Sequence, residues 1–395
     1  MSSNNELVGR VTDTNADEGP PQRVTLHGLA AIRLIPSLVI VVSHFSFLHL
    51  TSNAAADSIL FTVVNPAGCN AVSFFMILSG FILAWITNRP DTVDFRTFLV
   101  KRLLRVWPVH VIASLLVLAL IWKLDWTTPL NLFLLHAWIP DSNAYYSLNA
   151  PSWTLCTELV LYLIFPTLIG RLSRASSKRL TLLLSTLVAT VILIPAFLSL
   201  FPDGGRIGNV AFVEHMQPAE ISSWKYWFVY IFPLTRVLEC IIGVIVCILV
   251  RRGLWPRSIS LACGLLALAV VLEVTTLPYL FSLTSATVVP ITLLIGAVAT
   301  REISTERIPR TVKKLSALGK YTFGIYMYQW LLIILFETAF TQGSMSAAES
   351  ATLIPIFYLL ALALSYFSYG TLEKYVREKT RTLLSNQSND VRRTA

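Results

Sequence analysis

Ten apolar stretches long enough to cross a bilayer run through this chain of 395 residues, and its basic residues sort to one side of them. About 20 apolar residues rising ~1.5 Å each cross a hydrocarbon core of ~30 Å. The spans fall near 30–50, 69–87, 103–122, 153–170, 179–201, 227–250, 257–275, 279–299, 321–340 and 351–370. With 55% hydrophobic and 13% charged residues, too little polar surface is left to clothe a water-soluble globule of this size. The pattern predicts an all-α polytopic membrane bundle of about ten transmembrane helices.

Twenty-six of the 31 Lys and Arg lie in the N-terminal tail, the even-numbered loops and the C-terminal tail. The odd-numbered loops hold only Lys123, Arg206 and Lys225, while Arg33 and Arg236 fall within spans. The positive-inside rule therefore predicts that both termini are cytoplasmic. Miscounting one helix would destroy the alternation, so the charges also support ten as the number. Topology accounts for the net charge of +9, and nucleic acid is not implied as a partner.

Residues 1–25 are polar, with no apolar signal core, and are expected to form a disordered cytoplasmic tail. Residues 26–372 form the membrane domain, and 373–395 a basic tail near the anionic leaflet. Cys69, Cys156, Cys240, Cys247 and Cys263 show no metal-ligand spacing and read as small buried hydrophobes, so no metal site is expected.

Ionisable groups inside a membrane are costly and mark function. Arg33 and His44 are eleven residues apart, about 20° past three helical turns, so they share one face about 16 Å apart along the axis. Arg33 lies toward the cytoplasm and His44 toward the outside. Glu158 lies five residues below the outer end of the fourth span, at a depth similar to His44, where a carboxylate could orient the imidazole of a general base. Arg102 and Arg105 stand at the start of the third helix, level with Arg33. Three guanidiniums at one depth suit phosphates; the competing reading is ordinary flanking charge.

The same residues carry a family resemblance. Arg33-x10-His44, Val72–Phe81 (VSFFMILSGF), Phe98–Pro108 (FLVKRLLRVWP), Pro151–Glu158 with Tyr162, and Leu318–Trp330 (LGKYTFGIYMYQW) resemble, in order, five motifs of the acyltransferase-3 family of membrane O-acyltransferases. The chain departs from the family pattern in three places. Leu26-His27-Gly28-Leu29 lacks the acidic residue common before the arginine, Gln329 stands where many members have His, and Leu159 follows Glu158. It resembles the standalone type, without a fused hydrolase-like domain.

The resemblance implies transfer of an acyl group, acetyl or another short acyl, from acyl-coenzyme A to a hydroxyl. The acceptor would be an envelope carbohydrate or a secondary metabolite such as a macrolide. Acyl-CoA is a donor substrate, with no permanently bound cofactor, and the expected location is the cell membrane. His44 and Glu158 are the expected catalytic residues, with Arg33, Arg102 and Arg105 on the coenzyme. Ser79, Tyr326 and Gln329 are candidates for the oxyanion or the substrate. Acceptor contacts are expected in the long outer loops, 123–152, where Leu130–Trp138 reads as interfacial, and 202–226, with Arg206, Glu214, His215, Glu220 and Trp224. The alternative is a transporter or a translocator of a lipid-linked sugar or acyl group, although no internal repeat supports it.

Overall fold

A computed structural model of the chain describes residues 25–87, 90, 93–204, 222–305 and 307–373. The tails 1–24 and 374–395 lie outside the described residues, as do Arg206, Glu214, His215 and Glu220. Ten principal helices lie among the described residues: α1 His27–Ser46, α2 Ala54–Ile86, α3 Phe95–Ile121, α4 Trp153–Arg174 and α5 Ser177–Leu198, then α6 Pro233–Arg251, α7 Ile259–Thr275, α8 Val288–Ile303, α9 Thr322–Ala339 and α10 Ala347–Ser368. Eight helices among the described residues are long and apolar enough to cross a membrane, and α7 and α8 are shorter. The chain is an all-α, multi-pass membrane bundle.

The centre of the bundle is the α2–α6 pair. Over their most apolar stretches α2 and α6 are 72% and 78% buried, against 17% and 22% for the peripheral α5 and α10. Two glycines permit the approach. A Cβ on Gly80 would lie 1.8 Å from the Cys240 carbonyl oxygen, and one on Gly243 would lie 1.8 Å from that of Ile77. Lipid supplies no hydrophobic drive between helices, so close backbone packing of this kind is what joins them. Around this pair, α1 packs on α2, α4 and α5 on α6, and α9 against α1, α3 and α10.

Local chemistry moves three boundaries from their expected places. The third helix begins at Phe95 instead of 103, because the Asp94 side chain caps it by accepting from the Thr97 amide at 2.7 Å. Arg102 and Arg105 therefore sit about two to three turns inside α3 rather than at its start. The eighth span, expected at 279–299, is one turn, Tyr279–Ser282, followed by α8. Between them Ser285 donates to the Val191 carbonyl (2.9 Å) and Thr287 to Asn70 Oδ1 (2.6 Å), anchoring that turn to neighbouring elements. Finally, α1 breaks at Arg33 between His27–Ile32 and Leu34–Ser46. Pro36 has no N–H to offer the Ile32 carbonyl, which loosens the turn that carries Arg33.

The acidic residue that α1 lacks at its own start comes from α8. Glu302 accepts from the amides of His27 (2.5 Å) and Gly28 (2.7 Å), closing two of the unpaired donors of that helix end.

The connection between α3 and α4, where Leu130–Trp138 is expected to be interfacial, turns one side into the bundle and the other outward. Asn131, His136 and Ala137 are fully buried, while Phe133 and Leu135 face outward. Asn131 is the reason. Its Nδ2 donates to the Ser147 carbonyl (2.6 Å) and Ser152 Oγ (3.1 Å), and its Oδ1 accepts from Ser114 of α3 (3.2 Å). His110 of α3 bonds the Asn131 carbonyl at 3.0 Å. A buried polar set satisfied this fully specifies one loop conformation.

Candidate active site

Two adjoining cavities hold the candidate residues. The inner chamber is lined by Arg33, Arg102, Arg105, Ser79, Glu158, Tyr162 and apolar side chains of α2, α3 and α9. The outer cavity is lined by His44, Ser43, Asn65, Cys69, Trp153 and a group of tyrosines. Val72 and Tyr326 line both, so the two spaces adjoin across one pair of side chains.

The three arginines meet as expected. Arg33 reaches the chamber from the broken turn of α1, and Arg102 and Arg105 come from successive turns of α3. Arg105 is exposed at the chamber, and the Arg102 guanidinium lies 5.4 Å from the centre of the Phe98 ring. Arg33 feels the positive field of Arg105 and the negative field of Glu158. Its Nε is buried with no hydrogen-bond partner. Such a cluster of cations with a buried unused donor can pair with an anion bearing several oxygens.

Glu158 belongs to this chamber. Its Oε1 accepts from Ser79 (3.1 Å) and its Oε2 from Tyr162 (2.7 Å). His44 lines the other cavity, with the ring of Trp330 edge-on at 6.0 Å and Gln329 alongside. The expected pairing of His44 with Glu158 is thus replaced by hydroxyl partners for the carboxylate. Equal depth on two helices does not make two side chains meet, because the rotation of α4 turns Glu158 toward α2 and α3.

The remaining candidates are already engaged in part. Ser79 donates to Glu158, and Tyr326 donates to the Pro151 carbonyl at 3.0 Å. Gln329 is fully buried and donates through Nε2 to the Tyr326 carbonyl at 3.1 Å, leaving its Oε1 without a partner. His44 Nδ1 is likewise buried and without a partner. Gln329 is also a side-chain hydrogen-bond partner of His44.

Sequence reasoning missed the wall of the outer cavity. Tyr146 comes from the α3–α4 connection, Trp153 from the start of α4, and Tyr226 and Tyr230 from the segment before α6. Behind them stands Arg236, 1% exposed, 3.1 Å from Glu239, with its guanidinium 5.2 Å from the Tyr230 ring and 5.9 Å from Trp153. It donates to Ser73 Oγ at 3.3 Å. The signal for it was present, as a charge within a span, but its ring partners are distant in sequence. No group of three or more His, Cys, Asp or Glu with metal-binding geometry occurs among the described residues.

Comparison with known proteins agrees with this architecture. The model of the acyltransferase domain family matches residues 26–370. Acyltransferase MdmB of Streptomyces mycarofaciens is 28% identical over 327 residues, covering 80% of each chain. No solved structure matches. With the family match spanning all ten helices and both cavities, the chain belongs to the acyltransferase-3 family and is a multi-pass membrane acyltransferase.

Proposed function

We propose that the protein is an O-acyltransferase of the cell membrane that moves an acetyl or other short acyl group from acyl-CoA to a hydroxyl of a carbohydrate or secondary metabolite. The observation that carries this reading is the junction of a triple-arginine chamber with a histidine cavity across Val72 and Tyr326. The chamber lies on the basic, cytoplasmic side, where coenzyme A is made available. Arg33, Arg102 and Arg105 hold the phosphates, Arg and phosphate being matched in charge and planar geometry. The pantetheine arm, long and thin, passes Tyr326 and brings the thioester carbonyl to the edge of the outer cavity.

His44 then removes the proton from the acceptor hydroxyl. The oxygen attacks the carbonyl carbon, a C–O bond forms, and the C–S bond breaks. The imidazolium returns its proton to the departing coenzyme thiolate, leaving ester and free thiol. An imidazole suits this exchange near neutral pH. Glu158, held by Ser79 and Tyr162, offsets part of the charge of the three arginines and reduces their mutual repulsion.

The test is thiol release from acetyl-CoA by the purified protein in lipid discs, with and without hydroxylated acceptors. Acceptor-dependent release that is lost in His44→Ala supports the reading. A protein that moves substrate across the bilayer without releasing thiol would be a translocator instead.

A further inference from the structure

We propose that residues 125–138, between α3 and α4, form a re-entrant element that dips from the outer surface to about the middle of the bilayer. Acyl chains of the outer leaflet are the partner that covers its exposed side chains Phe133, Leu135 and Trp138. This assignment of a lipid partner is independent of the acyl-transfer reading.

The first observation is depth, for which α3 serves as the gauge. The positive-inside rule puts Arg102 at the cytoplasmic boundary and Lys123, just past the helix end, at the outer one. The helical rise between them is ~30 Å, the thickness of the hydrocarbon core. Asn131 and Leu132 sit well down that scale. His110 Nε2 donates to the Asn131 carbonyl at 3.0 Å, Ser114 to Asn131 Oδ1 at 3.2 Å, and Trp107 Nε1 to the Leu132 carbonyl at 2.9 Å. Ser114 and His110 lie ~13 Å and ~20 Å below Lys123. The chain can make that descent, because the irregular stretch after Lys123 and the turn Thr127–Leu132 together span up to ~20 Å by Asn131.

The second observation is what the segment shows to its surroundings. No charged residue occurs between Asp125 and Asp141, and the exposed residues of that stretch are Trp126, Pro129, Phe133, Leu135, Trp138 and Pro140. The Phe133 ring lies 6.4 Å from that of Trp107, which is exposed on α3 as are Ile112, Leu115 and Leu116. The apolar face therefore continues the lipid-facing side of a spanning helix. Third, the irregular backbone is closed on the protein. The amides of Phe133, Leu134, Leu135 and Trp138 donate to the carbonyls of Pro129, Asn131, Leu130 and Leu135. The carbonyls of Asn131, Leu132 and Ala137 accept from the ring N–H groups of His110, Trp107 and Trp227. Hydrocarbon offers backbone no partner, so non-helical chain persists at membrane depth only when protein satisfies it in this way.

The experiment uses the full chain in phosphatidylcholine discs. The exposed Cys263 is changed to Ser, and since the other four cysteines are buried, one introduced cysteine carries an environment-sensitive fluorophore. Phe133→Cys is compared with Lys123→Cys and with Ile112→Cys, an exposed position of α3 at similar depth. The quenchers are phosphatidylcholine with a nitroxide near the chain end, the same lipid with a nitroxide near the headgroup, and aqueous iodide. The deep nitroxide should quench the Phe133 and Ile112 probes at least about threefold more strongly than iodide does, and the Lys123 probe should show the reverse order. If Phe133→Cys does not elute as folded, monodisperse protein, Leu135→Cys replaces it with the same expected result. Stronger quenching by the shallow nitroxide would make the segment interfacial, and stronger quenching by iodide a loop in water. Quenching by none of the three would mean that protein, a second copy included, covers the face. Each of these three results overturns the proposal. Thiol release is not read, so an inactive protein leaves the result standing.

Discussion

Tyr162, one helical turn below Glu158, donates its hydroxyl to Glu158 Oε2 at 2.7 Å, and that bond holds the carboxylate in the chamber of the three arginines. Ser79 of α2 closes the other carboxylate oxygen at 3.1 Å. A carboxylate clamped by two hydroxyls from α4 and α2 organises the cationic chamber and leaves the imidazole of His44 to the outer cavity.

Glu158→Gln is therefore expected to change the KM for acyl-CoA while leaving the pH–rate limb of His44 within about half a unit, or ~0.7 kcal/mol, of its place. A pH profile of kcat measures this. A larger displacement of that limb would mean that carboxylate and imidazole interact directly.

His44→Ala should reduce turnover by 10²–10⁴-fold, the usual range for loss of a general base, with yield and folding preserved. Acceptor-dependent thiol release is the assay. Activity above about a tenth of wild type would sink the assignment.

Arg33→Lys and Arg105→Lys keep the charge and lose the planar fork. Both should raise the KM for acyl-CoA more than they lower kcat, the pattern of a contact made equally in ground and transition states. The half-buried Arg33 should be the more sensitive, because the exposed Arg105 is replaceable by solvent. Unchanged acyl-CoA affinity in both variants would return the arginines to the role of topological anchors.

Gly80→Ala and Gly243→Ala should each strip the membrane of folded protein, since either Cβ would meet backbone carbonyl oxygen at 1.8 Å. Backbone cannot step aside as a side chain can, so the cost should exceed about 3 kcal/mol. Detergent-extracted yield and melting temperature are the readouts. A variant that melts with the wild type would show that α2 and α6 can separate at little cost.

Single cysteines introduced as Ala55→Cys and Lys123→Cys should react with an impermeant maleimide from outside the cell, and Ser176→Cys and Lys313→Cys should not. All four positions are exposed, whereas Tyr145 in the same outer connection is fully buried and would be silent for that reason. Labelling of Ser176→Cys or Lys313→Cys from outside would overturn the orientation.

Much of the site was legible in the residues. Arg33 and His44 stand out as ionisable groups within the first span, and the charge in a span that marks Arg236 is visible in the chain. What could not be read was partnership. Glu158 and Ser79 are 79 residues apart, and Glu302 caps a helix end 274 residues before it. No local period carries such information.

The division follows from the range of the forces. Apolar run length and the sidedness of Lys and Arg act on each segment separately, through transfer into the bilayer, so the sequence by itself determined an all-α, multi-pass bundle. The tertiary structure alone decided which side chains face one another. That outcome depends on the rotation of each helix and on the backbone contact at Gly80 and Gly243, which draws α2 and α6 together. Around that contact α4 turns Glu158 to the arginines, and the segment before α6 lays its tyrosines against the cavity of His44.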